Sequence, residues 1–352
     1  MQRERDPSFD AFRGLAIIAV VAIHATFFGF SRGYSPTGGW NLFLVAYCQL
    51  FGFAVPAFIF ISGYWIAKKP IKSLEDYKTF LIRRLTRILI PYFFWSFILL
   101  GYAAIKTGDI NVYQVIFKLM TGRACYPYYP YFFIIMIAQL YVITPLLHYI
   151  NRKPYGLTLV LILNIIGLLL QYLSRLFKVI WYPAGTLPFY SWIIFYTIGL
   201  LIGSRDKKIF ASKNMRVFIL PAVLVSLLIA ELEGIVVLSK YGNMFFAVSA
   251  TRYSSFLYST CIIFGFLYVR ERFRYQPRFL VAIGNYSFGI FLIHMIVLNR
   301  VVNIVQKSNI IYSLQPLYQL AVVFITISLC FVVISITRKL LPKSFCHKVL
   351  GF

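Results

Sequence analysis

Residues 10–30 read Asp10-Ala-Phe-Arg13-Gly-Leu-Ala-Ile-Ile-Ala-Val-Val-Ala-Ile-His24-Ala-Thr-Phe-Phe-Gly-Phe30. Beyond Arg13 the stretch carries one ionisable side chain, His24. It is about as long as a helix that crosses a lipid bilayer. No water is present in the hydrocarbon core, so each backbone N–H and C=O must pair within the segment, and a helix of about 20 residues does this. Arg13 and His24 lie eleven positions apart. On an α-helix that is about three turns plus 20°, so both side chains point the same way, about 16 Å apart along the axis. Asp10, one turn before Arg13, is placed to cap the helix and orient the guanidinium.

The rest of the chain repeats this pattern. Of 352 residues, 60% are hydrophobic and 13% charged, against about 45–50% apolar in soluble domains. Apolar runs recur near 11–30, 45–66, 86–105, 130–150, 155–173, 188–203, 216–236, 251–270, 279–299 and 315–337. The expected fold is all-α: one polytopic transmembrane helical bundle over 1–352 with about ten spans. Arg3 and Arg5 before the first run resemble a signal peptide. The run is long, contains His24 and lacks an A-x-A cleavage site, so it reads as a retained span. The longest stretches outside the membrane are 67–83 and 106–129.

The formal charge of +25 could indicate nucleic acid. Here the Lys and Arg residues fall in short blocks between apolar runs, which fits the positive-inside rule and not a nucleic-acid surface. Most of the 35 lie in segments 3–13, 68–87, 152–153, 205–216, 270–278 and 338–348. With an even span count these segments share one side, so both termini are expected to be cytoplasmic. The five cysteines show neither metal-ligand spacing nor a disulfide framework.

Four segments could carry chemistry. Arg13 with His24 is the first. An ionisable group at membrane depth faces protein or a wet cavity. Arg13 could be a snorkelling anchor and His24 a structural hydrogen-bonding residue; alternatively, the aligned pair suits a ligand with an anionic head and a reactive tail. The second is Val55-Pro-Ala-Phe-Ile-Phe-Ile-Ser62-Gly63-Tyr64. Pro56 is expected to kink the span, and Ser62-Gly63 to admit a second backbone or a ligand. The third is Arg83-Arg84-Leu-Thr-Arg87-Ile-Leu-Ile-Pro91-Tyr92. Arg84 and Arg87 share a helix face and suit bidentate phosphate binding, although basic residues also belong at inner span ends. The fourth, Gly284-Asn-Tyr-Ser-Phe-Gly-Ile-Phe-Leu-Ile-His294, brings a second intramembrane histidine, read as a structural hydrogen bond or a site residue. On the outer side, Arg123 and Arg252 run against the charge rule, and Glu231 and Glu233 lie near a span end. The Pro- and Tyr-rich segment around Tyr128 is either an interfacial aromatic belt or a sugar-stacking surface.

Together these segments resemble the acyltransferase-3 family of membrane-bound acyltransferases. The matching pieces are D-x-x-R-G…H from Asp10 to His24, V-P-x-F-x-x-x-S-G-Y from Val55, and R-x-x-R-I…P-Y from Arg84. Tyr141…Pro145-Leu146-Leu147 and G-x-x-S-F-G-I…H from Gly284 complete the order. The resemblance implies a multi-pass enzyme of the bacterial inner membrane. It would transfer an acyl group, usually acetyl from cytoplasmic acetyl-CoA, to a hydroxyl of an extracytoplasmic carbohydrate such as O-antigen or exopolysaccharide. It implies that His24 and Arg13 form the catalytic pair and that Arg84 and Arg87 bind the donor, to which Asp10 and Ser62 are added. Arg123, Tyr128 and His294 are acceptor-side candidates. Some members carry a fused SGNH-type domain, and none is expected here. Membrane lipid and a carbohydrate acceptor are the expected partners, nucleic acid is not, and no metal is called for. A transporter or flippase of a surface-polysaccharide precursor is the rival reading.

Overall fold

The computed structural model describes residues 6–30, 39–69, 71–108, 111–123, 130–180, 189–205, 215–273, 276–307 and 314–352. Among them every regular element is helical. Seven helices are long and apolar enough to cross a membrane, and an eighth candidate is a bent pair. The seven include α1 (Pro7–Phe30), α4 (Leu74–Thr107), α8 (Gly156–Gln171), α10 (Met215–Tyr241), α14 (Ser287–Val305) and α15 (Gln315–Leu340). The seventh joins α2 (Gly39–Leu50) to α3 (Ala54–Ala67). The bent pair is α6 (Phe132–Val142) with α7 (Thr144–Asn151), at 55°.

Two other stretches read as spans are also helical. One is α9 (Ile193–Gly203), of 11 residues. At 1.5 Å per residue it covers only about half of a 30 Å hydrocarbon core. Eight of its residues are buried, so neighbouring protein covers it. The other is α12 (Tyr253–Arg272), which closes on Arg270, Glu271 and Arg272.

The bundle has a centre and a rim. In α1, 72% of the apolar window is buried, against 22% in α4 and 28% in α10. The rim helices turn Ile90, Phe97, Leu220 and Leu224 outward, as lipid-facing surfaces do. An ionisable side chain on α1 therefore meets protein.

Glycines set the closest helix contacts. On α3, a Cβ at Gly63 would lie 2.2 Å from the Tyr196 carbonyl of α9; one at Gly199 would lie 2.3 Å from the Phe60 carbonyl. The expected close approach at Ser62-Gly63 is this helix pair. A second pair joins α1 to α13 (Arg278–Asn285). A Cβ at Gly14 would meet the Leu280 carbonyl at 2.1 Å, and one at Gly284 the Asp10 carbonyl at 1.8 Å. Small residues let backbones touch where apolar side chains provide no driving force in lipid.

Local details sharpen the reading. The span is broken next to its proline: the helix is interrupted at residues 51–53. These include Gly52, the position whose carbonyl a continuous helix would set against the Pro56 ring. Pro56 itself sits in the first turn of α3, where no N–H is needed for an intrahelical bond. Within segment 67–83, α4 starts at Leu74 behind a Ser73/Asp76 capping box. Likewise 106–129 contains α5 (Val112–Met120). At the start of α1 the capping carboxylate is Asp6, which accepts from the Ser8 N–H at 3.0 Å. Asp10 is already the fourth helical residue.

Candidate active site

The residues expected to bind the donor come together. Asp10, Arg13, Ser62, Arg84 and Arg87 line one cavity of about 360 Å³. They reach it from α1, α3 and α4, across 77 positions of sequence between the first and last. Its apolar wall includes Phe58, Ile61, Phe133 and Phe291, and Gly284 and Asn285 close it beside α1.

Arg13, Ser62 and Arg84 each have a partner. Arg13 Nη1 donates to Asp10 Oδ1 at 3.0 Å, so the carboxylate one turn away orients the guanidinium as the spacing suggests. Asp10 is buried, while the Arg13 side chain is one-third exposed. The contact of Gly14 with Gly284 brings this turn of α1 against α13, which is why Asn285 shares the cavity with Asp10. On the opposite wall the Ser62 and Tyr141 hydroxyls share a hydrogen bond of 3.0 Å, and the Arg84 guanidinium lies over the Tyr141 ring at 6.0 Å. Tyr141 sits just before the bend at Ile143–Thr144. Thr144 bonds the Tyr196 hydroxyl of α9 at 2.7 Å, tying that bend to the bundle.

His24 is not on the cavity wall. It is 9% exposed and lies against His294, which is fully buried; the ring centroids are 5.2 Å apart. His294 Nδ1 is 2.7 Å from the Phe291 carbonyl and 3.2 Å from that of Ile290. A carbonyl only accepts, so Nδ1 carries the proton and, in the neutral ring, Nε2 presents a lone pair. His294 Nε2 and His24 Nδ1 are buried without a hydrogen-bond partner among the described residues. Phe291 connects the two regions. Its ring is 5.9 Å from that of His294 and 5.6 Å from that of Phe133, and both phenylalanines line the cavity. The structure thus places His294 beside His24, which sequence spacing could not do.

Arg123 and Arg252 lie elsewhere. Arg123 stacks its guanidinium over Phe117 at 5.6 Å and does not line the cavity. Tyr128 lies outside the described residues. Arg252 is fully buried, donates to the Ala230 carbonyl at 3.0 Å and approaches Glu233 at 3.5 Å. Glu233 also accepts from the hydroxyls of Tyr172 and Ser254. This network ties α10 and α12 to Tyr172, just past the end of α8. Three further residues line the cavity, Tyr141, Phe133 and Phe291. Their only signals in the sequence are the place of Tyr141 before Pro145-Leu146-Leu147 and that of Phe291 one helical turn before His294.

Among the described residues no group of three or more His, Cys, Asp or Glu could hold a metal ion. The family model described as "Acyltransferase domain" matches residues 6–335. A protein of Bacillus subtilis (strain 168) named "Putative membrane-bound acyltransferase YfiQ" is 25% identical over 251 residues, covering 69% of this chain and 67% of that one. No solved structure matches the chain. The ordered motifs, the helical bundle and a family match over almost the entire length converge: this chain belongs to the acyltransferase-3 family of membrane-bound acyltransferases.

Proposed function

We propose that this protein is an inner-membrane O-acetyltransferase. It takes acetyl from cytoplasmic acetyl-CoA and passes it to a hydroxyl of an extracytoplasmic surface carbohydrate. This reading counts α9 and α12 as spans, for ten in all, with both termini cytoplasmic. The observation that carries it is the convergence of Arg13, Arg84 and Arg87 on one cavity, with His24 about three turns further along the helix that bears Arg13.

The chemistry follows from that layout. Three guanidiniums suit the pyrophosphate of coenzyme A, which is anionic and planar recognition by Arg forks favours. The pantetheine arm then runs past Ile61, Phe133 and Phe291 toward the histidine pair. His24 removes the proton of the acceptor hydroxyl as its oxygen attacks the thioester carbonyl. The new C–O bond forms, the C–S bond breaks, and coenzyme A leaves as a thiolate that is then protonated. His294, with its tautomer set by the Phe291 carbonyl, presents a lone pair in the buried space beside His24.

Cells expressing His24→Ala or Arg13→Ala at the wild-type level test the reading by mass spectrometry of their surface glycans. Loss of O-acetyl groups in both supports it. Full acetylation in both removes the site, and glycan export without acetylation in the wild type would favour a transporter.

A further inference from the structure

The donor cavity does not end at the arginine pair. A second cavity of about 370 Å³ lies on the far side and shares Arg84 and Arg87 as a common wall. It is built from the end of α3, the connection that carries Lys69 and Ile71, and about the first four turns of α4. Lys69 and Arg83 add two cations, and Thr79 adds a hydroxyl. Phe80 also lines it and packs edge-on to Tyr141 at 6.0 Å. Two carboxylates belong to the wall, Glu75 and Asp76. Asp76 is occupied with its own helix start, accepting from the N–H groups of Lys72 and Ser73 at 3.1 Å each. The cations Lys69, Arg83, Arg84 and Arg87 therefore outnumber the acidic groups around this space.

Topology alone would put basic residues at this end of α4. It would not join their cavity to the one holding Arg13 and Ser62. The partition is made of two side chains, Arg84 and Arg87, that reach both spaces, and Arg84 is steadied over Tyr141. A ligand that is anionic at two separated points fits such a pair of chambers. Coenzyme A is one, with a pyrophosphate and, beyond it, a phosphate on the ribose 3′ position.

We propose that the second cavity holds the nucleotide end of the donor, with Lys69 and Arg83 binding the ribose 3′-phosphate while Arg84 and Arg87 in the partition hold the pyrophosphate. This rests on the coenzyme A reading above. It assigns Lys69 and Arg83 a role in choosing the donor, separate from the chemistry at His24. Both are exposed, so replacing them leaves the packing of α3 and α4 in place.

The test is equilibrium binding of coenzyme A and of 3′-dephospho-coenzyme A to the detergent-solubilised full chain, by calorimetry. The wild type is expected to prefer coenzyme A by roughly tenfold or more, the order expected for charge-assisted hydrogen bonds to one phosphate. Lys69→Gln/Arg83→Gln is expected to weaken coenzyme A to the level of the dephospho form and to leave the dephospho form unchanged, which also shows the variant is folded. Arg84→Gln is expected to weaken both. A preference that survives the double substitution overturns the assignment, as does equal weakening of both ligands by it. A wild type that binds both ligands equally overturns it while leaving the donor reading intact. A wild type that binds neither overturns both.

Discussion

Replacing Gly284 with Ala should cripple transfer without preventing folding, and the structure gives the size of the disturbance. The added Cβ would stand 1.8 Å from the Asp10 carbonyl oxygen. Ordinary carbon–oxygen contact is roughly 3.3 Å, so the backbones must part by about 1.5 Å. Neither side can yield by turning a side chain, because the nearest atoms are backbone, with the Gly14 N also at 3.0 Å. The displacement therefore falls on the turn carrying Asp10 and Arg13 and on the wall formed by Gly284 and Asn285. Overpacking of this kind costs about 1–3 kcal/mol. A shift of about 1 Å in a positioning group can cost on the order of 100-fold in rate. On the proposed function, we expect a membrane-inserted protein whose transfer rate falls by roughly 10–100-fold, measured as acetyl incorporation into surface glycan at matched expression. Gly101→Ala is the control: nothing lies within 4 Å of its Cβ position, and Ala favours a helix over Gly by about 0.5–1 kcal/mol. Wild-type activity and thermal stability in Gly284→Ala would refute the idea that this helix contact sets the arginine.

Other outcomes follow from single contacts. Arg252→Met leaves Glu233 without its buried cation and should lower stability by about 3 kcal/mol, seen as a lower melting temperature in detergent; Arg252→Met/Glu233→Gln should recover part of the loss, and an unchanged melting temperature in the single variant would show that the pair is not coupled. Ser62→Ala and Tyr141→Phe remove opposite ends of one hydrogen bond, so each should cost about 1 kcal/mol and the double variant no more than the larger single loss. Fully additive losses would show that the two hydroxyls act independently.

Much of this protein is legible from its residues taken in order. The length of each apolar run determines that it is helical, because lipid offers the backbone no other partner. Spacing determines that Asp10 can reach Arg13, since three positions along a helix form one turn whatever surrounds it. The same local reasoning puts a break in the span at Pro56, and the helix is interrupted one turn before it, at 51–53. It misplaces the cap of α1, which is Asp6 and not Asp10. Tertiary structure alone decides which segments meet. It brings Arg84 and Arg87 to Arg13 across 71 and 74 positions, and His294 to His24 across 270. It also decides that Arg252 is a buried tie and not a surface cation. These outcomes depend on how closely helices approach, and that depends on which face of each helix carries its glycines. Gly14 with Gly284 and Gly63 with Gly199 are ordinary small residues in the sequence, and only the neighbour opposite each one turns it into a contact that positions the site.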